Sequence, residues 1–446
     1  MDHISGCFPG EKAKRIIMLG IAVFFIAFCF IPYDSMAVTL REGLKIVTSS
    51  GRDVQISGEE EYMAAARVSI AGAALMPGID VYANQTWLRY QPEAKFSPFG
   101  PVPMSEKDYL TYGFRLRQLI YDFGKTSSLV RSARLTLKSK KLNTERVRNL
   151  AAVKFITAYF NLLESRKLLN VAEQQVRRLG EHLSDTKAMY KEGLITKNNL
   201  LQAEVMLSDA KQKRIDAENF FQLRGSVINS MLRKPLNEPV DIQEVDRRPF
   251  TDSGLEEAWK LAEGQRPELR EMETAIMAIE AELESIRVDF FPQIYLSGGY
   301  EYQENRYMVH ENNWSISAGA SLNLFSGGAT KAKMRQKEAR LITLKEKRGK
   351  LLDMIRLETK KAYLGLKAAM HKIKVTEKAI DQANENLRLQ RLRYKEGVGT
   401  ATDVTDAVTL LTLAGTNYWN SVYQSRKAEA RLLYSVGEDL VAAYCN

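Results

Sequence analysis

The chain is poor in cysteine: Cys7, Cys29 and Cys445 are all it has in 446 residues. That excludes a disulfide-built scaffold, which sets several bridges in a short chain. Long apolar runs are also lacking. Ile16 to Ile31 is the one extended stretch, so a polytopic helical membrane protein, with several apolar runs of ~20 residues, is excluded. Histidine is sparse and scattered, at 3, 182, 310 and 371. With no cysteine pair beside it, no metal-ligand spacing can be read, and neither a metal nor a cofactor is expected. The most informative absence is proline. All 12 prolines stand at 9, 32, 77, 92, 98, 101, 103, 235, 239, 249, 267 and 292, leaving 104–234 and 293–446 without any. Ordinary domains place prolines in their loops, so these two gaps predict few loops and long helices.

The composition itself is that of a mildly basic chain: 45% hydrophobic, 26% charged, formal net charge +10 and mean hydropathy −0.29. Disordered and collagen-like chains look different. A charge of +10 suggests a nucleic-acid partner, but Lys and Arg are interspersed with Glu rather than clustered, the pattern of a solvated helix face. No nucleic-acid partner is expected. The N-terminus reads as an address. Lys12, Lys14 and Arg15 precede Ile16–Ile31, and Ser35-Met36-Ala37 follows with small residues three and one before a cleavage point. This is the layout of a signal peptide over 1–37; the run is short for a transmembrane anchor. Cleavage after Ala37 leaves Cys445 as the one cysteine, so no internal disulfide is possible. A lipid on Cys29 lacks the small residues it needs beforehand.

The chain repeats itself. Tyr190-Lys191-Glu192-Gly193 recurs as Tyr394-Lys395-Glu396-Gly397, and at the same offset of 204 Ala158-Tyr159 meets Ala362-Tyr363. Upstream the offset is 215, with Pro77 on Pro292, so the first copy holds 11 extra residues. The proline-rich segment 91–104 lies there and reads as a longer loop. The predicted organisation is a first repeat over 38–231, a linker over 232–254 holding Pro235, Pro239 and Pro249, a second repeat over 255–436, and a tail over 437–446.

Each copy has the same order. A helical segment (59–75, then 255–290) ends before a proline. Two strand-like runs follow, 79–90 and 109–121 in the first copy, 293–304 and 313–325 in the second. They alternate with period two: Leu110, Tyr112, Phe114 and Leu116 share one face, and Trp314, Ile316, Ala318 and Ala320 another. Aromatic-rich runs of about ten residues with one apolar face suit transmembrane β-strands, or a half-buried sheet of a soluble domain. An exported chain favours the former. Long helical hairpins then cover 126–231 and 329–436. A helix of about 64 residues would be ~95 Å long, beyond any compact domain of this size. Its narrow apolar seam, Leu150, Val153, Ile156, Phe160 and Leu163, must be buried on other helices.

Signal peptide, internal repeat, paired strands and long hairpins together resemble the TolC-type outer-membrane efflux protein family over about 40–436. The most specific residues are Tyr394 to Thr400 followed by Thr402-Asp403-Val404-Thr405-Asp406-Ala407, and Tyr190 to Leu194 with Thr196 in the first copy. Tyr121-Asp122-Phe123-Gly124, Leu324-Phe325-Ser326-Gly327-Gly328 and Arg266-Pro267-Glu268-Leu269 add to it, while Gly51-Arg52-Asp53-Val54 departs from the last pattern. The resemblance implies an α+β membrane protein: a homotrimer whose four strands per chain form one outer-membrane β-barrel, continued by a long α-helical barrel through the periplasm. It implies a passive exit duct for efflux or type I secretion, set in outer-membrane lipid and completed by a periplasmic adaptor (membrane fusion) protein and an inner-membrane pump. The competing reading is a periplasmic coiled-coil structural protein without a pore.

No enzyme is legible. Phe123-Gly124-Lys125-Thr126 ends like a phosphate-binding loop, but Leu119 stands where that motif needs its first glycine. Gly124 reads instead as a strand-to-helix hinge, with Gly327 and Gly328 in the second copy and Pro77 and Pro292 on the opposite crossings. Gly193 and Gly397 interrupt continuous helical pattern and read as helix ends, with Asn198 or Asn199, and Thr402 or Asp403, as caps of the returning helices. The resemblance makes Gly193, Leu194, Ile195, Thr196 and Gly397, Val398, Gly399, Thr400 the tips on which an adaptor docks. Asp403 and Asp406 are three apart and share a helix face. In a trimer they would form rings of carboxylates constricting the pore, with Asn199 nearby. Asn199 and Gly399 occupy positions where similar proteins carry an acid and an arginine, so the entrance is expected to be held otherwise than by that salt bridge.

Overall fold

The computed structural model describes residues 38–245 and 254–445; the expected signal peptide, with Cys7 and Cys29, lies outside them, as do residues 246–253 of the linker. Helices α1 (Leu40–Ser50) and α2 (Arg52–Ala73) lead to strand β1 (Gly78–Trp87). A short hairpin follows, β2 (Glu93–Phe96) and β3 (Gly100–Pro103), then β4 (Asp108–Tyr121). Helices α3 (Lys125–Lys191) and α4 (Lys197–Leu232) form the first long hairpin. The second half runs α5 (Leu255–Gln265), α6 (Pro267–Arg287), β5 (Gln293–Gln303), β6 (Asn312–Ser321), α7 (Ala329–Lys395), α8 (Ala401–Ser435) and a short α9 (Leu440–Cys445).

Two expectations change here. Segment 91–104 is a β-hairpin rather than a loop. Its four prolines argue against strands in the sequence, yet only Pro101 and Pro103 lie within one, on an isolated two-stranded ribbon whose outer edge loses nothing by a missing N–H. The helical segment placed at 59–75 is two helices that begin at Leu40. Thr39 caps α1 through a reciprocal bond pair with Glu42, and Gly51 breaks the chain where Arg266 breaks it between α5 and α6.

α3 and α7 have 67 residues each, or ~100 Å of helix. They form the length of a wall in which α4 packs on α3, α3 on α8 and α8 on α7. α4 and α8 are about half as long. Where α8 ends, α6 takes its place between α3 and α7, and where α4 ends, α2 packs on α3 in its stead. Arg233, just past α4, donates to the Gln55 carboxamide oxygen on α2 at 2.6 Å. Short helices α1, α5 and α9 pack on one side of this wall. The largest core lies there: Leu40, Leu44 and Val47 meet Phe155, Ile156, Tyr159 and Leu162 of α3. Gly43 is required at that contact, because a Cβ there would lie 2.1 Å from the Phe155 ring. The Tyr159 hydroxyl donates to the Gln243 carbonyl at 2.7 Å, and burial pushes it up to about 12.

The four long strands make one antiparallel sheet in the order β1-β4-β5-β6. Its register brings Val81, Phe114, Tyr300 and Trp314 into one row, and Ile79, Leu116, Gly298 and Ile316 into another. Among the described residues no helix is long and apolar enough to cross a membrane.

Candidate functional site

Period-two alternation in β1, β4, β5 and β6 separates two chemistries. The apolar face is an aromatic cluster: Tyr112 stacks on Tyr302 at 4.9 Å, and Trp314 meets Tyr300 at 5.0 Å and Phe114 at 5.5 Å. Trp314 and Ile316 remain 70% and 84% exposed, so nothing among the described residues covers this face. The opposite face is polar. Tyr82 donates to Glu301 at 2.6 Å, Arg115 and Arg117 lie over the rings of Tyr82 and Tyr295, and Ser297 bonds Ser317. Among the described residues β1 and β6 each present one unpaired edge, which an isolated chain leaves open. The helical wall ends the same way. α4 and α7 are its two margins, and each exposes apolar side chains, Val205, Phe220 and Leu223 on one, Leu357 and Val375 on the other.

The crossings between sheet and helices are built from turns that demand glycine. Gly124, at φ +89°, precedes α3, and Gly328, at φ +82°, precedes α7 after Gly327 at φ +62°. Asp122 holds the first turn by accepting from the backbone N–H of Gly124 and Thr126 and from the Thr126 hydroxyl. Lys125, the residue that resembled a phosphate-binding lysine, is paired with Asp289 at 2.6 Å instead. Asp289 lies in the 3-10 turn (Val288–Phe290) after α6 and before Pro292. Pro77 lies between α2 and β1.

At the far end both hairpins turn alike. Gly193 (φ +72°) and Gly397 (φ +73°) leave the helix in left-handed conformation. The N–H of Leu194 closes on the Met189 carbonyl at 2.9 Å, and those of Val398 and Gly399 on the Arg393 carbonyl at 3.0 Å. Leu194 and Val398 stand exposed at the apex. The caps differ from the expected ones. Thr196 and Thr400, not Asn198, Asn199, Thr402 or Asp403, occupy the N-cap positions. Thr400 makes a full capping box: its hydroxyl accepts from the Asp403 N–H at 3.1 Å, and its own N–H donates to the Asp403 carboxylate at 2.9 Å. These bonds from Thr400, backbone first and side chain second, hold the Asp403 carboxyl below its ordinary value. Asp406, one turn on, is exposed, and Asn199 is half-buried.

What joins the two hairpins at this end went unread in the sequence. Tyr394 is buried against His182 at 5.3 Å, and its hydroxyl lies 3.3 Å from that of Thr186. Around it pack Leu179, Leu387, Val404, Val408 and Leu411, drawn from α3, α7 and α8. Arg391 reaches from α7 to Glu181 on α3 at 3.1 Å, and Thr402 to Gln202 on α4 at 3.3 Å. Burial pulls the His182 imidazole below its ordinary value, opposed by Asp185 and by a hydrogen bond with the Ala401 backbone. Its Nε2 has no partner among the described residues. Tyr190 holds the same place in the first repeat but is exposed, so the tetrapeptide alone carried no signal of which tyrosine is buried. Among the described residues no group of three or more His, Cys, Asp or Glu is placed to hold a metal ion.

Comparison with known proteins adds to this geometry. A family model described as "Outer membrane efflux protein" matches residues 52–223 and 258–438. The chain is 24% identical to the alkaline protease secretion protein AprF of Pseudomonas aeruginosa, across 91% of this chain and 85% of that one. It is 22% identical to the pyoverdine export outer membrane protein OpmQ of the same organism, across 84% and 78%. Among solved structures, the CmeC outer membrane channel of Campylobacter jejuni superposes with a TM-score of 0.77 at 16% identity, covering 91% of this chain and 88% of that one.

Proposed function

This chain belongs to the outer membrane efflux protein family, and from that premise we propose how its geometry makes a duct. It is an outer-membrane channel that serves efflux or secretion, with a large helical part on the periplasmic side. Three copies complete it. The observation that supports this most is the matched pair of open margins: the sheet ends at β1 and β6, and the helical wall at α4 and α7. Four strands cannot close a barrel by themselves, and unpaired strand edges are not tolerated in lipid. Joining β6 of one chain to β1 of the next, and α7 to α4, closes both layers with one rotation. The aromatic face then meets outer-membrane lipid and the polar face lines the passage.

The two repeats, 38–231 and 255–436, supply equivalent halves of each subunit, joined through 232–254 and followed by the tail 437–446. Gly193 to Thr196 and Gly397 to Thr400 form the periplasmic tips and the surface for a periplasmic adaptor protein, which couples the duct to an inner-membrane pump. Asp403 and Asp406, with Asn199 beside them, constrict the entrance. Pro77, Gly124, Pro292, Gly327 and Gly328 set the bend between barrel and tube. The duct is passive, and we assign it no catalysis. A periplasmic structural protein without a pore would have no use for an exposed aromatic sheet face. Reconstitution in planar bilayers tests the reading. A small resting conductance that rises in D403A/D406A supports it; no conductance, or a closed pore insensitive to both changes, overturns the constriction.

A further inference from the structure

The helical wall has two sides. On α3, Ala152, Phe155, Tyr159 and Leu162 face α1, whereas Leu150, Lys154, Thr157 and Asn161 lie on the opposite face and line a cavity of about 740 Å³. All four long helices contribute to that cavity, on the side away from α1 and α5 that the conduit reading makes the concave, lumen side when three chains close. Four cations enter it, Lys154 of α3, Arg224 of α4, Lys361 of α7 and Arg431 of α8. One carboxylate accompanies them, Glu358, and it is already bound at 3.0 Å by the buried Arg266. Lys154 has Asp53 at 3.5 Å. Among the described residues, Arg224, Lys361 and Arg431 have no carboxylate partner.

Other cations along the wall are paired. Arg356 pairs with Glu263 of α5 and Lys167 with Glu244 of the linker. One turn before Arg431, Lys427 is buried between α8 and α3 and satisfied by Glu164 at 2.7 Å and Asn161 at 2.9 Å. Among the described residues, three cations of the cavity are therefore left without a carboxylate partner, whereas Arg356, Lys167 and Lys427 each have one. A narrow aqueous passage ringed by one sign of charge concentrates the opposite ion.

We propose that this concave surface is an anion site of the duct, and that its cargo carries carboxylates. This rests on the conduit reading above. Three free cations per chain form a belt midway along the tube, well removed from the carboxylates at the tips.

The test is block of single-channel current by anions added from the barrel side. It uses the full-length protein in low salt, where the screening length is ~30 Å. Citrate and poly-L-glutamate are the probes, with spermine as the cationic comparison. The variants are R224Q/K361Q/R431Q and, on the outer helix α5, K260Q; all four positions are exposed, so folding is retained. The expected result is block by anions and not by spermine, weakened about tenfold in the triple variant and unchanged in K260Q. Block by citrate marks small polycarboxylates as cargo, and block by poly-L-glutamate alone marks acidic polypeptide. Absence of anion block, equal block in the triple variant, or equal loss in K260Q overturns the anion site while leaving the duct intact. Absence of conductance in every variant overturns the conduit itself.

Discussion

Tyr394 and Tyr190 sit in identical tetrapeptides, and replacing each by alanine separates what the sequence could not. Tyr394 is 4% exposed and Tyr190 39%. In Tyr394→Ala the ring leaves a hole among Leu179, Leu387, Val404 and Val408, strips the cover from His182, and removes the hydroxyl 3.3 Å from Thr186. Truncating a buried aromatic to alanine costs ~3–5 kcal/mol. The hydroxyl accounts for about 1 kcal/mol of that, which Y394F measures alone. An exposed Tyr190→Ala change stays within about 0.5 kcal/mol. Because Tyr394 bridges α3 to α7 and α8, its loss falls on the contact between the hairpins rather than within one. A shift of ~3 kcal/mol moves a two-state equilibrium more than a hundredfold, enough to turn rare opening of the entrance into frequent opening. Two assays follow it: single-channel open probability, and the rate at which trypsin cuts beside the tips at Lys191 and Lys395. Y394A is expected to raise both, Y394F slightly and Y190A not at all. Equal responses of Y394A and Y190A would refute the argument, because burial would then not decide which tyrosine holds the hairpins together.

Gly43→Ala drives a methyl against Phe155 and should lower stability by ~1–3 kcal/mol, read as the melting of helical circular dichroism; the penalty shrinks when Phe155 is also Leu. Arg266→Met removes one partner of a buried ion network with Glu268 and Glu358 and should cost ~3 kcal/mol or more. R266K should not rescue it, since lysine cannot reproduce the paired bonds to Glu268 and the stacking on Tyr434. The pH dependence of the tip has a definite sign. His182 titrates below its ordinary value when packed, so protonation favours the parted hairpins. The packing is at full strength above pH ~6.5 and weakens as pH falls below that value. Tryptic protection of the tips should decline in that window in the native chain and stay flat in His182→Leu.

Long helices, paired strands and glycine turns were legible because each is written locally. Period-two alternation fixes the faces of β4 and β6, and a glycine after Tyr-Lys-Glu fixes a helix end. Helix α1 and the hairpin β2–β3 were not legible. Gly51 hides a helix junction that needs no proline, and prolines on the outer edges of an isolated ribbon look like loop residues. At the candidate site, the two glycine turns could be placed from spacing. The contact of His182, Tyr394, Arg391 and Glu181 could not, because it joins residues more than two hundred positions apart whose neighbours depend on how two hairpins pack. The unpaired cations on the concave side escaped for the same reason: interspersed charges in the sequence do not say which of them meet a partner.

The central claim is that open margins close on further copies of the same chain. Cysteines placed on β1 at Asp80 or Asn84 and on β6 at Ser315 or Ser317, with Cys445 replaced by Ser, test it directly after oxidation in native membranes. A ring of three joined β1 to β6 yields cross-linked dimers and trimers on denaturing gels and nothing larger. A ladder extending beyond trimer, a series that stops at dimer, or links formed only within one chain would contradict the account.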